Sequence, residues 1–76
     1  MELPDSNETG VYLIFNKVNG KVYVGSASRS FRKRATTHRR DLRRGSHGNR
    51  HLQSAWDKYG EVAFEFRIVV RCRPEH

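Results

Sequence analysis

Apolar residues along the 76-residue chain fall into five patterned stretches. The first two, Val11 to Phe15 and Lys21 to Val24, are rich in β-branched and aromatic residues and are separated by Asn19-Gly20. That pair supplies the positive backbone φ of a tight turn, so Gly10 to Gly25 is predicted to be a β-hairpin. A two-residue turn at Asn19-Gly20 pairs Asn16 with Tyr23 and Ile14 with Gly25. Tyr12 and Tyr23 then share one face of the sheet, with Tyr23 four residues further along. From Ser28 to Arg44 the alternation stops. Phe31, Ala35, His38 and Leu42 recur at intervals of four, three and four, which makes one helical face, and Gly45 is placed to end it. After a loop over Ser46 to Arg50, Asn49 is suited to cap a second helix in which Leu52, Ala55, Trp56 and Tyr59 share a face and Gly60 closes the last turn. From Val62 to Val70, Phe64, Phe66, Ile68 and Val70 alternate with Glu65 and Arg67, a third strand with one buried face. This order predicts an α+β fold on a small three-stranded antiparallel sheet. Met1 to Thr9 is polar, holds Pro4 and carries three acids, and reads as a flexible lead-in to one domain over 10–76.

Composition narrows the class. Hydrophobic residues make up 36% and charged ones 30%, which suits a folded domain. No apolar run approaches the roughly 20 residues of a membrane span and no secretory leader is visible, so an intracellular, cytoplasmic protein without membrane contact is expected. The single cysteine, Cys72, gives no internal disulfide framework and agrees with a reducing compartment. Fifteen Lys and Arg against eight Asp and Glu give a net charge of +7 and a pI near 10.3. In so small a domain that excess favours a polyanion as partner.

Most of this charge sits on the first helix. Arg29, Arg32, Lys33, Arg34, Arg39, Arg40, Arg43 and Arg44 surround its apolar face, with Asp41 the sole acid among them. Like charges three and four apart, such as Arg40 with Arg43 and Arg44, repel and weaken a free helix unless phosphates compensate. Arg32, Lys33, Arg39, Arg40, Arg43 and Arg44 are therefore candidate DNA contacts. No aromatic residue stands among these bases, which favours a duplex backbone over stacked single-stranded bases. Arg34 and His38, four apart, lie on one side of the helix, and His38 sits at the edge of the apolar face. A core-edge histidine bonded to a neighbour is the plainer reading of His38, as a solvated loop residue is of His47.

Gly10-Val11-Tyr12 followed by Tyr23-Val24-Gly25 resembles the paired signature of the GIY-YIG nuclease family, with Val for Ile at both middle positions. Lys33-Arg34, His38, Asp41-Leu42, Gly45-Ser46-His47, Leu52-Gln53 and Lys58-Tyr59-Gly60 fall in the order found in the nuclease domains of phage intron-encoded homing endonucleases. One extra residue stands between Gly25 and Arg34. The resemblance implies a DNA endonuclease in which Tyr12 or Tyr23 activates water, Arg34 contacts the scissile phosphate, and His38 and His47 belong to the tyrosine site. It also implies a divalent metal, Mg²⁺ or Mn²⁺, on a glutamate of a final helix that would lie beyond His76, since neither Glu65 nor Glu75 matches its position. No metal ligand is thus expected in this chain. A phage or bacterial cell, and an attached or separate DNA-binding domain for specificity, are further implications. Two other readings stand beside it. One is a DNA-binding module or nuclease fragment without catalysis. The other is a small zinc domain on His47, His51, Cys72 and His76.

Overall fold

The computed structural model describes residues 1–72. Its elements follow in the order β1 (Thr9–Asn16), β2 (Val22–Ala27), α1 (Phe31–Arg43), α2 (Arg50–Tyr59), a 3-10 turn (Glu61–Ala63) and β3 (Phe64–Cys72). The strands form one antiparallel sheet with β1 in the centre, in the order β2-β1-β3. The α+β architecture expected from the patterning is the one observed.

The hairpin register departs from expectation by two residues. Ile14 pairs with Tyr23, Tyr12 with Gly25 and Phe15 with Val22. A two-residue turn needs positive φ at both Asn19 and Gly20, yet Gly20 alone has it, at 78°. The loop instead takes four residues, Lys17 to Gly20, closed by the Gly20 N–H on the Asn16 carbonyl at 2.8 Å. The buried Asn16 side chain directs this choice, because its Oδ1 accepts from the Val18 N–H at 2.9 Å and the Asn19 N–H at 3.4 Å. Side chains alternate with period two, so a slip of two keeps every residue on its predicted face. It brings Tyr23 from four residues away to two.

Both helices start where a side chain can accept from their free N–H groups. Ser30 Oγ accepts from Lys33 N at 2.9 Å and Asn49 Oδ1 from Leu52 N at 3.1 Å, so α1 begins three residues later than the periodicity suggested. Gly45, with φ of 73°, lets its own N–H reach the Leu42 carbonyl and that of Ser46 the Asp41 carbonyl, closing α1. Phe31, Ala35, His38 and Leu42 of α1 are buried, as are Leu52 and Trp56 of α2. They meet Tyr12, Ile14, Ala27 and Phe64 from one face of the sheet, and Trp56 stacks on Phe64 at 5.4 Å between ring centroids. Burying Ile14, Phe31, Leu42 and Leu52 contributes about 1.5–3 kcal/mol each.

The third strand also begins later than predicted. Val62 belongs to the 3-10 turn and is 85% exposed. Phe64, Phe66 and Ile68 face the core side as expected, opposite Asn16, Ile14 and Tyr12. Val70 does not, because a bulge between Val11 and Tyr12 moves the pairing to Val11 with Val70 and turns that valine to the other face. Ahead of β1, the segment expected as a lead-in runs along α1 and the 3-10 turn. The Met1 amino group donates to the Glu61 carbonyl, the Ser6 carbonyl accepts from Arg32 N, and the Glu8 carbonyl accepts from Phe31 N. Among the described residues no helix is long and apolar enough to cross a membrane.

Candidate active site

A pocket of about 430 Å³ opens between the core-side face of the hairpin and the edge of α1, and is lined by Tyr12, Tyr23, Gly25, Arg34, His38 and His47. The register explains why two tyrosines converge there. Tyr23 stands beside Ile14 and Gly25 beside Tyr12, so the two phenols are diagonal neighbours on one face. Gly25 is required by this arrangement, since a Cβ there would collide with the Tyr12 phenol that crosses it. Gly10, at φ 144°, meets the same constraint against the Val70 carbonyl. The glycine of the second tripeptide thus leaves room for the tyrosine of the first, and the glycine of the first leaves room for the backbone of β3.

Tyr12 is 2% exposed, its ring stacked on Phe66 at 4.6 Å. Its Oη lies 2.6 Å from His38 Nε2, and His38 Nδ1 lies 2.6 Å from His47 Nε2. The Asn49 backbone N–H donates to His47 Nδ1 at 3.0 Å. A backbone N–H can only donate, and this orders the whole chain of bonds. With Nδ1 accepting, neutral His47 carries its proton on Nε2 and donates to His38 Nδ1. His38 then carries its own on Nε2 and donates to Tyr12 Oη, leaving the phenol proton uncommitted to the imidazoles.

Burial, foremost, then the nearby Arg34 and His47 lower the His38 pKa from 6.5 to about 4, with Asp41 opposing, so the ring is neutral at pH 7. The loop bearing His47 is fastened by Gln53, whose Oε1 accepts from His47 N at 3.0 Å and whose Nε2 donates to the Leu42 carbonyl at 3.0 Å.

Tyr12, Tyr23, Arg34, His38 and His47 are therefore brought to one pocket. The six bases expected on DNA are not brought together. Arg32, Arg39 and Arg43 point to the N-terminal segment and Glu61, whereas Lys33, Arg40 and Arg44 by their helical spacing lie on the outer face of α1, opposite its buried stripe. Sequence reading missed Thr37 and Asp41, which line the pocket, and Asn49 and Gln53, which set its histidines. The 34, 37, 38, 41 spacing carries the signal for the first two; the others needed the loop geometry.

Among the described residues no group of three His, Cys, Asp or Glu side chains converges on a point. Asp41 is the carboxylate in the pocket lining, and its Oδ1 lies 3.3 Å from Arg40 Nε. A hard divalent cation takes several oxygen ligands, so the described side chains do not fit one by themselves. The zinc reading finds no support in the described residues: His47 is engaged at both nitrogens, Cys72 is exposed at the end of β3, and His76 lies outside them, as does Glu75.

The family model of the GIY-YIG catalytic domain matches residues 8–75. The chain is 45% identical over 62 residues to intron-associated endonuclease 1 of Enterobacteria phage T4, an alignment that takes in 82% of this chain and 24% of that protein. It therefore spans about a quarter of that relative's length. Two solved structures of the catalytic domain of the homing endonuclease I-TevI, one a mutant, match with TM-scores of 0.80 and 0.82 at 43% and 40% identity. Each match covers 90% of this chain, and 68% and 72% of the respective solved chain.

Proposed function

The chain belongs to the GIY-YIG family of catalytic domains, and on that premise we propose that it is an endonuclease domain hydrolysing phosphodiester bonds of double-stranded DNA. The observation that carries the reading is the pocket itself, where the Arg34 guanidinium shares a wall with a buried phenol held by a neutral imidazole. Hydrolysis requires a deprotonated water, positive charge against the phosphoryl oxygens, and help for the leaving oxygen. Arg34 supplies charge in a planar fork suited to a phosphate.

Tyr12 is the better base of the two tyrosines. Once the phenol has released its own proton to solvent in the pocket, the phenolate oxygen accepts from His38 Nε2–H, a charge-assisted bond that holds it, and takes a proton from the attacking water. His38 does not take that proton, because the Asn49 N–H keeps the imidazole chain in the opposite tautomer. Tyr23, which makes no side-chain hydrogen bond among the described residues, orients the water from the diagonal position. Nucleases of this family generally use a divalent cation, and Mg²⁺ or Mn²⁺ is the expected one. Site specificity is assigned to a DNA-binding domain, attached or separate, given the small share of the phage protein that the match covers.

Plasmid nicking tests this. Supercoiled DNA with the 76-residue chain in Mg²⁺ or Mn²⁺ should be nicked by the wild type. Cleavage should fall by about 10²-fold or more in Arg34→Ala and Tyr12→Phe, and less in Tyr23→Phe. The second reading, DNA binding without cleavage, draws on the lack of a converging carboxylate cluster among the described residues. It would prevail if the wild type bound duplex at low salt and left the plasmid intact.

A further inference from the structure

The bases of helix α1 have different surroundings. Arg32, Arg39 and Arg43, spaced by seven and four, share one side. The protein already engages each of them. Arg32 Nη1 lies 3.3 Å from Asp5 Oδ1, Arg39 Nη1 donates to the Met1 carbonyl at 3.4 Å, and Arg43 forks onto Glu61 at 2.7 and 2.8 Å. Lys33 and Arg34 lie outside that row, next to Arg29 from the preceding turn. Among the described residues these three make no ion pair and no side-chain hydrogen bond.

They line a hollow of about 490 Å³ together with the hydroxyl-bearing Ser26, Ser28 and Thr37. No carboxylate and no aromatic ring belongs to its lining. Three cations in one concavity repel one another and focus a positive potential, which an anion relieves. Hydroxyls add donors for phosphate oxygens, and without a ring there is nothing for a base to stack on, so the hollow suits the backbone and not the bases. Arg34 and Thr37 form a wall common to this hollow and the tyrosine pocket. A strand that sets one phosphate against Arg34 in the pocket passes its neighbour across that wall.

Resting on the reading of the chain as a DNA nuclease, we propose that this hollow binds the phosphodiester next to the scissile one on the same strand. Arg29 and Lys33 supply the charge, with Ser26, Ser28 and Thr37 as hydroxyl donors. Arg32, Arg39 and Arg43 hold the fold and leave this phosphate to Arg29 and Lys33.

The test is the salt dependence of binding to a short DNA duplex, measured on the 76-residue chain without divalent metal so that nothing is cut. Losing one phosphate contact lowers the slope of log K against log salt by about 0.9. The double variant Arg29→Ala/Lys33→Ala should show that drop and bind about tenfold more weakly at low salt. Lys33→Glu should lower affinity at least as much, and Arg32→Ala should keep the wild-type slope. All three side chains are exposed, and unchanged melting temperatures report an intact fold. A double variant with the wild-type slope, or an Arg32→Ala variant that loses as much, overturns the proposal while leaving the nuclease reading intact. A wild-type chain whose duplex binding shows no salt slope overturns both.

Discussion

The two faces of the sheet are built from the same alternating strands and differ in nearly everything else. On one, Tyr12, Ile14 and Phe64 are 2%, 1% and 2% exposed beneath the two helices. On the other, Val22 and Val24 are 50% and 71% exposed beside half-buried Leu13 and Phe15, and Arg67 lies over the Phe15 ring at 4.7 Å. Water satisfies polar groups on the open face at little cost, so nothing there needs a fixed partner. On the covered face a phenol and two imidazoles had to find partners within the protein, and each bond constrains the next. Site chemistry follows coverage: burial holds Tyr12 and His38 to partners within the protein, the Asn49 N–H sets the direction of the Tyr12–His38–His47 chain, and that direction makes Tyr12 an acceptor.

Filling the space that the covered face keeps open should have the largest effect. Gly25→Ala drives a methyl into the Tyr12 phenol, and because that ring is stacked on Phe66 and bonded to His38 it cannot swing away freely. Plasmid nicking should drop by about 10²-fold from misplacement of the phenol, alongside about 1–3 kcal/mol of overpacking in urea melts. Next comes Ile14→Ala on the same face, expected to cost about 2–5 kcal/mol in the same melts.

Acid sharpens the comparison further. His38 is held to about 4, so between pH 6.5 and 4 the unfolded chain binds a proton at this ring that the folded chain refuses. Stability should therefore fall as pH drops through that window, and His38→Gln should remove this part of the slope. Arg43, by its hydrogen bonds, lowers Glu61 to about 2, and its contribution is lost lower down, as pH falls from 4.5 towards 2. Titration melts of wild type and His38→Gln separate the two windows. Smallest of all, Val24→Thr on the open face should stay within about 0.5 kcal/mol of wild type and leave nicking unchanged. A loss comparable to that of Ile14→Ala would mean that the open face is covered in solution.

Much of this was legible in the residues. The apolar periods of Phe31, Ala35, His38 and Leu42, and of Leu52 and Trp56, identify the faces that are in fact buried. Ser30 and Asn49 show how local the helix starts are, since each cap is a side chain reaching three residues along. The hairpin register was harder, because Asn19-Gly20 favours one turn and the buried Asn16 side chain imposes another. Burial of Asn16 arises from β3 and the 3-10 turn, more than forty residues away, where the Ala63 carbonyl accepts from Lys17 N.

The site divides along the same line. Residue type and helical spacing brought Arg34 and His38 together, and period-two alternation put Tyr12 and Tyr23 on one face even though the predicted register was two residues out. These are consequences of backbone geometry, which every stretch carries within itself. Which bases of α1 remain free was decided by Asp5, Met1 and Glu61, carboxylates and a carbonyl brought in from both ends of the chain. The tautomer of His38 was decided by one backbone N–H two residues past His47. Periodicity is local and can be read along the chain. Pairing is a competition among groups distant in sequence, and only the folded structure settles which of them meet.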